Sequence, residues 1–270
     1  MKNGIVIPCY NEANRLHLDK FQKFADQNQD YVMCFVNDGS KDNTLEVLQN
    51  FQLKNDGKVE VYNMPQNRGK AEAVRAGILH LVGQRNISSI GFMDADLSTG
   101  FDDYVTLVQE LQAPLGQKKM VFGSRKAQEE NRIERTFFRS LASKIIGLMI
   151  RAVLRLPIHD TQCGAKVFNA DLARSCFRSS FVTKWLFDVE LFIRARKQYG
   201  RKRLMEQIVE KPLKEWIHVE GSKITLKDSI EIPSQLWKIL FNYDIRPVFS
   251  IAPRKVTTFS HKLRASLNLF

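Results

Sequence analysis

The sequence predicts an α/β fold: a mostly parallel sheet flanked by helices, followed by an amphipathic helix and a basic C-terminal tail. Three observations predict it. Short apolar runs alternate with longer helix-like stretches through the first 125 residues. The runs have strand length, and the stretches between them can carry crossover helices that return the chain to a parallel neighbour. The composition, 44% hydrophobic and 26% charged over 270 residues, is that of a chain able to bury a sizeable core.

The apolar runs fall at 4–8, 32–36, 58–62, 88–93 and 119–123. Helix-like stretches occupy 14–28, 42–54, 69–83 and 102–113. Residues 126–137 are highly polar and read as a loop. The segment 138–156 then reads as a helix, and Arg135, Arg139, Ser143, Gly147, Arg151 and Arg155 recur every four residues as a narrow polar stripe on an apolar body. Further helix patterns lie near 184–199 and 233–243. The expected division is one domain over 1–232, with a C-terminal helix and tail over 233–270.

The chain opens directly on the run Gly4-Ile5-Val6-Ile7-Pro8, so no leader is expected ahead of the fold. Its longest apolar candidate, Ile145 to Leu156, is cut by Arg151 and Arg155, so no transmembrane helix is expected. Cys9, Cys34, Cys163 and Cys176 lack metal-type spacing and are expected to be reduced, buried thiols. Forty-one Lys and Arg against 29 Asp and Glu give a net charge of +12. Such a charge favours anionic partners: nucleic acid, anionic lipid or phosphorylated substrates. No nucleic-acid motif accompanies it, so a nucleic-acid partner is not expected.

In a parallel sheet, ligands bind beyond the carboxyl ends of the strands. The loops there are rich in chemistry. Asp94-x-Asp96 follows the fourth run; two carboxylates spaced by one residue can hold a divalent cation and a ribose. Mg²⁺ or Mn²⁺ takes hard oxygen ligands and leaves room for phosphates. Asp38-Gly39-Ser40 follows the second run, offering a carboxylate with a glycine that permits close approach. Asn67-Arg68-Gly69-Lys70 opens a helix, and a helix N-terminus with glycine and lysine suits phosphate. Each motif alone has an ordinary reading: a solvated acidic pair, a turn and a loop-to-helix junction. Their common placement at strand ends gives them weight together.

Ile7-Pro8-Cys9-Tyr10-Asn11-Glu12, Val36-Asn37-Asp38-Gly39-Ser40, Asn67-Arg68-Gly69-Lys70 and Met93-Asp94-Ala95-Asp96-Leu97 occur in one order. That order resembles the family 2 inverting glycosyltransferases, which have the GT-A fold, a Rossmann-like nucleotide-binding sheet. Gly123-Ser124-Arg125, Asp160-Thr161-Gln162-Cys163-Gly164-Ala165-Lys166, Trp185-Leu186-Phe187-Asp188-Val189-Glu190 and Gly221-Ser222-Lys223 narrow the resemblance. They look like the branch acting on polyprenyl phosphates, the dolichyl-phosphate mannose synthases and glucosyltransferases, and are nearer the glucosyl members. The resemblance spans residues 4–223.

The resemblance implies that Pro8, Tyr10, Glu12 and Asp38 hold base and ribose, and that Lys70 and Asp94 complete the nucleotide pocket. It implies a metal on Asp96, with Asp94 and Ser98 assisting, and phosphates of donor or acceptor on Arg125, Arg139 and Lys223. Asp160 and Glu190 are placed near the reacting centre. Asn37 and Ser98 depart from the family, standing where many relatives have aspartate and some have glutamine. The implied donor is UDP-glucose, with GDP-mannose second, and the implied acceptor is a polyprenyl phosphate.

Chemistry agrees. A phosphate monoester is already anionic near neutral pH, so transfer onto it needs little proton removal. Catalysis then rests on alignment of two anions and their neutralisation. Asp160 is read as a base or as an organiser of a basic side chain, with the organiser favoured. The apolar helix at 138–156 and a tail over 245–270 with Arg246, Arg254, Lys255, Lys262 and Arg264 suggest peripheral contact with a membrane, on its cytoplasmic face. Core packing for the helix and a solvated terminus for the tail are the plainer alternatives. Two rival functions remain: transfer to a soluble or saccharide acceptor, which needs a general base, and nucleotide-sugar binding without catalysis.

Overall fold

A computed structural model describes residues 1–84, 86–114, 117–125, 137–217 and 226–245, with backbone only for 137–145 and 226–230. The first half builds β1 (Lys2–Cys9), α1 (Leu18–Gln27), β2 (Tyr31–Asp38), α2 (Thr44–Lys54), β3 (Val59–Met64), α3 (Lys70–Gln84), β4 (Ile87–Phe92), α4 (Phe101–Gln112) and β5 (Met120–Ser124). The second half adds α5 (Phe137–Leu154), β6 (Lys166–Asn169), α6 (Ala170–Phe177), α7 (Phe187–Tyr199), α8 (Arg201–Gln207), β7 (Ile208–Pro212) and α9 (Leu226–Asn242).

The strands form one seven-stranded sheet in the order β3-β2-β1-β4-β6-β5-β7. β1 pairs in parallel with β2 and β4, β2 with β3, and β5 with β7. β6 is antiparallel to both β4 and β5. Strands β1, β2, β3, β4, β5 and β7 therefore point the same way, and their carboxyl ends share one edge with the start of β6. The chain order reverses between β1 and β4, which is where a crevice opens in such sheets.

Alternation along the strands builds a core on each face. Ile5, Ile7, Met33 and Phe35 pack with Phe21, Phe24, Leu48, Phe51, Tyr104 and Leu107 on the side of α1, α2 and α4. Val6, Val32, Cys34 and Val36 pack with residues of α3, α5, α6 and α7 on the other. All eight residues of β2 are buried, as a strand covered on both faces requires. All four cysteines are free and buried.

The helix expected at 138–156 forms, and its second half is core: Ile150, Val153 and Leu154 are buried. Leu148 and Arg151 remain outside. The division expected at 232/233 falls inside α9, whose Leu236 and Ile239 lie in the main core. Among the described residues no helix is long and apolar enough to cross a membrane. The basic tail beyond Ile245 lies outside the described residues.

Candidate active site

The loops at the shared edge are tied to one another by their own side chains. The Asn11 amide donates to Ser40 Oγ (3.0 Å), Asn11 Oδ1 accepts from the Lys41 amide (2.8 Å), and the Glu12 amide donates to Thr44 Oγ1 (2.8 Å). These bonds join the end of β1 and its loop, with half-buried Pro8 and Tyr10 and buried Glu12, to the loop after β2. Asn37, the departure from the family pattern, donates to Asn63 Oδ1 (2.8 Å) and accepts from the Ser40 amide (3.3 Å). It holds the end of β2 to β3.

Asp38, expected to contact base or ribose, is buried at the end of β2. Its two carboxylate oxygens accept the amides of Arg68 (2.7 Å) and Gly69 (2.8 Å), at the entry to α3. Burial pushes its pKa up, against the lowering effect of those two bonds. Gly39, at φ +61°, lies against the backbone of Gln66 and Asn67, so closely that a side chain there would overlap it. The Asp-Gly turn thus shapes the phosphate-type loop.

That loop delivers Lys70, whose ammonium is paired with Asp94 Oδ1. Burial opposes the lysine's charge, but Asp94, Asp188 and Asp96 outweigh it, and its pKa is raised. Gly164 packs against the other oxygen of Asp94, where a β-carbon would collide with Oδ2. Asp94 and Asp96 sit in a turn rather than in extended pleat positions. The Leu97 amide donates to the Asp94 carbonyl (3.2 Å), and Leu97 takes φ +55°. Asp96 Oδ1 accepts the Ser98 amide (2.9 Å). Ser98 is buried, and its carbonyl accepts from Ile217 (3.0 Å).

On the far side of β4, Asp160 grips Arg125. Its oxygens accept from Arg125 Nε (2.8 Å), a terminal guanidinium nitrogen (2.9 Å) and the Arg125 amide (3.0 Å). Burial raises the carboxyl's pKa, but Arg125 overrides it, and the net shift is downward. Glu210 of β7 braces the loop by accepting from the amides of His159 (2.9 Å) and Asp160 (2.8 Å). The Arg125 guanidinium lies 5.6 Å from the centre of the Trp216 ring. Asp160 thus engages the Arg125 guanidinium through both of its oxygens.

Glu190 was expected near the reacting centre and lies elsewhere. It is fully buried and accepts from the amides of Val182 (3.0 Å) and Thr183 (2.8 Å), from Thr183 Oγ1 (2.5 Å) and from Tyr243 Oη (2.8 Å). It ties α7 to the end of α9. The side chain of Arg139 and the whole of Lys223 lie outside the described residues. Sequence reasoning gave no role to Lys166 or Asp188, although both stand inside motifs it quoted.

The glycosyl transferase family 2 model matches residues 4–177. A dolichyl-phosphate beta-glucosyltransferase of Trichomonas vaginalis is 32% identical over 268 residues, covering 93% of this chain and 76% of that protein. The human dolichyl-phosphate beta-glucosyltransferase is 34% identical over 235 residues, covering 82% of this chain and 69% of that one. Glucosyl-3-phosphoglycerate synthase of Mycobacterium tuberculosis, solved with Mn²⁺ and UDP-glucose, matches with a TM-score of 0.65 at 15% identity, over 91% of this chain and 80% of that one. At that identity the likeness is one of fold.

Proposed function

Since this chain belongs to glycosyl transferase family 2, we propose that it moves glucose from UDP-glucose to a polyprenyl phosphate, with inversion at the anomeric carbon. The relatives named for transfer to dolichyl phosphate, at up to 93% coverage of this chain, support that acceptor. The observation that carries the reading is the pairing of Arg125 with Asp160 at the same sheet edge as Asp94 and Asp96. It supplies a fixed cation for a phosphate, and the carboxylate that would have been the obvious general base is committed to holding that cation.

The donor set suits a hard divalent cation. Asp96 keeps Oδ2 outside its bond to Ser98, while Asp94 is engaged by Lys70 on one side and Gly164 on the other. Among the described residues no group of three or more His, Cys, Asp or Glu side chains could hold a metal alone. Mg²⁺ or Mn²⁺ is held by one or two carboxylates together with substrate phosphates. When bound there, the ion neutralises charge on the departing diphosphate. Asp96 is assigned as its main ligand, with Asp94 nearby.

The chain's own residues do the rest. Lys70, at the head of α3, faces the diphosphate. Arg125 orients the acceptor phosphate, and Arg139 and Lys223 are assigned to the same anions. An acceptor phosphate oxygen attacks the anomeric carbon, and the bond from that carbon to the diphosphate oxygen breaks with its electron pair leaving on UDP. A phosphate monoester has its second pKa near about 6, so no side chain has to remove a proton. The contribution of the protein is alignment and charge neutralisation.

A lipid acceptor must be met at a bilayer surface. On α9, Trp237 is 72% and Phe241 is 83% exposed, with Lys238 beside them, and Leu148 of α5 is 62% exposed. Aromatic, apolar and basic groups together suit the headgroup region. The cytoplasmic face is assigned as part of the same reading. Transfer to polyprenyl phosphate, run beside the corresponding polyprenyl alcohol, tests the acceptor. Product from the phosphate alone supports the reading; product from the alcohol, or from soluble sugars alone, overturns it.

A further inference from the structure

Lys166 is completely buried at the first position of β6, and Asp188 is buried in the first turn of α7. Lys166 Nζ donates to the Cys163 carbonyl (2.7 Å), lies 2.6 Å from Asp188 Oδ1 and sits 5.4 Å from the centre of the Phe92 ring. That close approach makes the two a buried ion pair. A buried ion pair seldom adds stability over apolar groups of the same volume. This one calls for another reason.

Its surroundings supply one. Asp188 interacts electrostatically with Lys70 and Asp94, the pair at the nucleotide end of the crevice. The register of β4 and β6 sets Lys166 opposite Phe92, two residues before Asp94. The same stretch of chain puts Gly164 against the Asp94 carboxylate. Lys166, Asp188, Lys70 and Asp94 are two cations and two anions and sum to zero. Asp96 is left as the uncompensated charge of the group.

We infer that Lys166 and Asp188 are a positioning pair, which holds Lys70 and Asp94 in the geometry that receives a nucleoside diphosphate. Neither touches the substrate; Asp188 acts through Lys70, and Lys166 makes the burial of Asp188 tolerable. The inference rests on the function proposed above. It predicts that the pair matters for donor binding only while Lys70 is present.

Calorimetric binding of UDP with Mn²⁺ tests this in a double-mutant cycle. Asp188→Asn alone strands a buried ammonium and is prone to misfold, so the working variant is K166M/D188N, which removes both charges. Folding is checked by its melting transition. In the Lys70-containing protein, K166M/D188N is expected to weaken UDP binding by about tenfold, the scale of outer-shell support. In the Lys70→Ala background it is expected to change binding by less than about twofold, within ordinary additivity error. Lys166→Arg, which keeps the charge and moves its centre, is expected to show the same dependence on Lys70. Equal losses in both backgrounds, or no loss in either, overturn the positioning role while leaving the proposed function intact. A wild-type protein that binds neither UDP nor UDP-glucose overturns the function and this inference with it.

Discussion

Arg125 and Asp160 are joined through two nitrogens and two carboxylate oxygens, at 2.8 and 2.9 Å, and Asp160 also accepts the Arg125 amide at 3.0 Å. A bidentate pair of this kind fixes the plane of the guanidinium as well as its position. The basic group at the end of β5 is therefore set before a ligand arrives.

Asp160→Asn keeps the shape and removes the charge. Transfer efficiency, kcat/KM, is expected to fall by about 10²-fold, as misplacement of an orienting group does. The pH profile separates an organiser from a base. Asp160's pKa is lowered, so it stays ionised through the neutral range. Its stabilising effect is present above the unfolded carboxyl pKa of about 3.9 and is lost as pH falls through the lower folded value. A rate profile with an acid limb near neutrality that disappears in Asp160→Asn contradicts the organiser role.

Asp96→Ala is expected to reduce metal-dependent transfer by at least about 10²-fold, in the range seen when charge stabilisation is removed from an active site. Asp96 accepts the Ser98 amide and also acts on Lys70, so stability should shift by no more than about 3 kcal/mol. Turnover titrated against Mn²⁺, with a parallel melt, checks both halves. Wild-type turnover sinks the ligand assignment.

Gly164→Ala puts a β-carbon into the Asp94 carboxylate. The expected cost is about 1–3 kcal/mol by urea unfolding, typical of an overpacked site. UDP affinity should fall with it, because the Lys70–Asp94 pair must move. Unchanged stability and unchanged affinity contradict the packing described.

Tyr243→Phe removes one donor from the fully buried Glu190 carboxylate and is expected to cost about 1.5–3 kcal/mol. Burial, with Glu190 adding, pushes the Tyr243 hydroxyl up to about 12. A raised folded pKa means stability that is complete below the unfolded value near 10 and is lost as pH rises through about 12. The gap in stability between wild type and Tyr243→Phe should therefore narrow between those limits. Chemical denaturation at a series of alkaline pH values measures it.

The first half of the fold was legible because its pattern is local. Each of the five apolar runs lies in or overlaps a strand, and the helix stretches at 42–54, 69–83 and 102–113 match α2, α3 and α4 within about two residues, the usual ambiguity of helix ends. Beyond β4, β5 was legible as a run, but β6 and β7 were not. β6 has only four residues and begins with Lys166, so no periodicity announces it, and its insertion between β4 and β5 depends on pairing distant in sequence.

The site divides the same way. Asp94, Asp96, Lys70 and Arg125 could be placed because strand-end loops are where parallel sheets bind ligands. The partners of those residues could not. That Asp38 holds α3's entry, that Gly164 faces Asp94, and that Lys166 neutralises Asp188 are all facts of side-chain geometry. A charged residue in a short strand reads as solvated until the fold shows it buried.

The most direct test is transfer of labelled glucose from UDP-glucose to polyprenyl phosphate with Mn²⁺ or Mg²⁺, beside GDP-mannose as donor and EDTA as control. The account predicts a glucosyl lipid from UDP-glucose, abolished by EDTA, and little or no product from GDP-mannose. Metal-independent transfer, or no lipid product from UDP-glucose despite metal-dependent UDP binding, would contradict it.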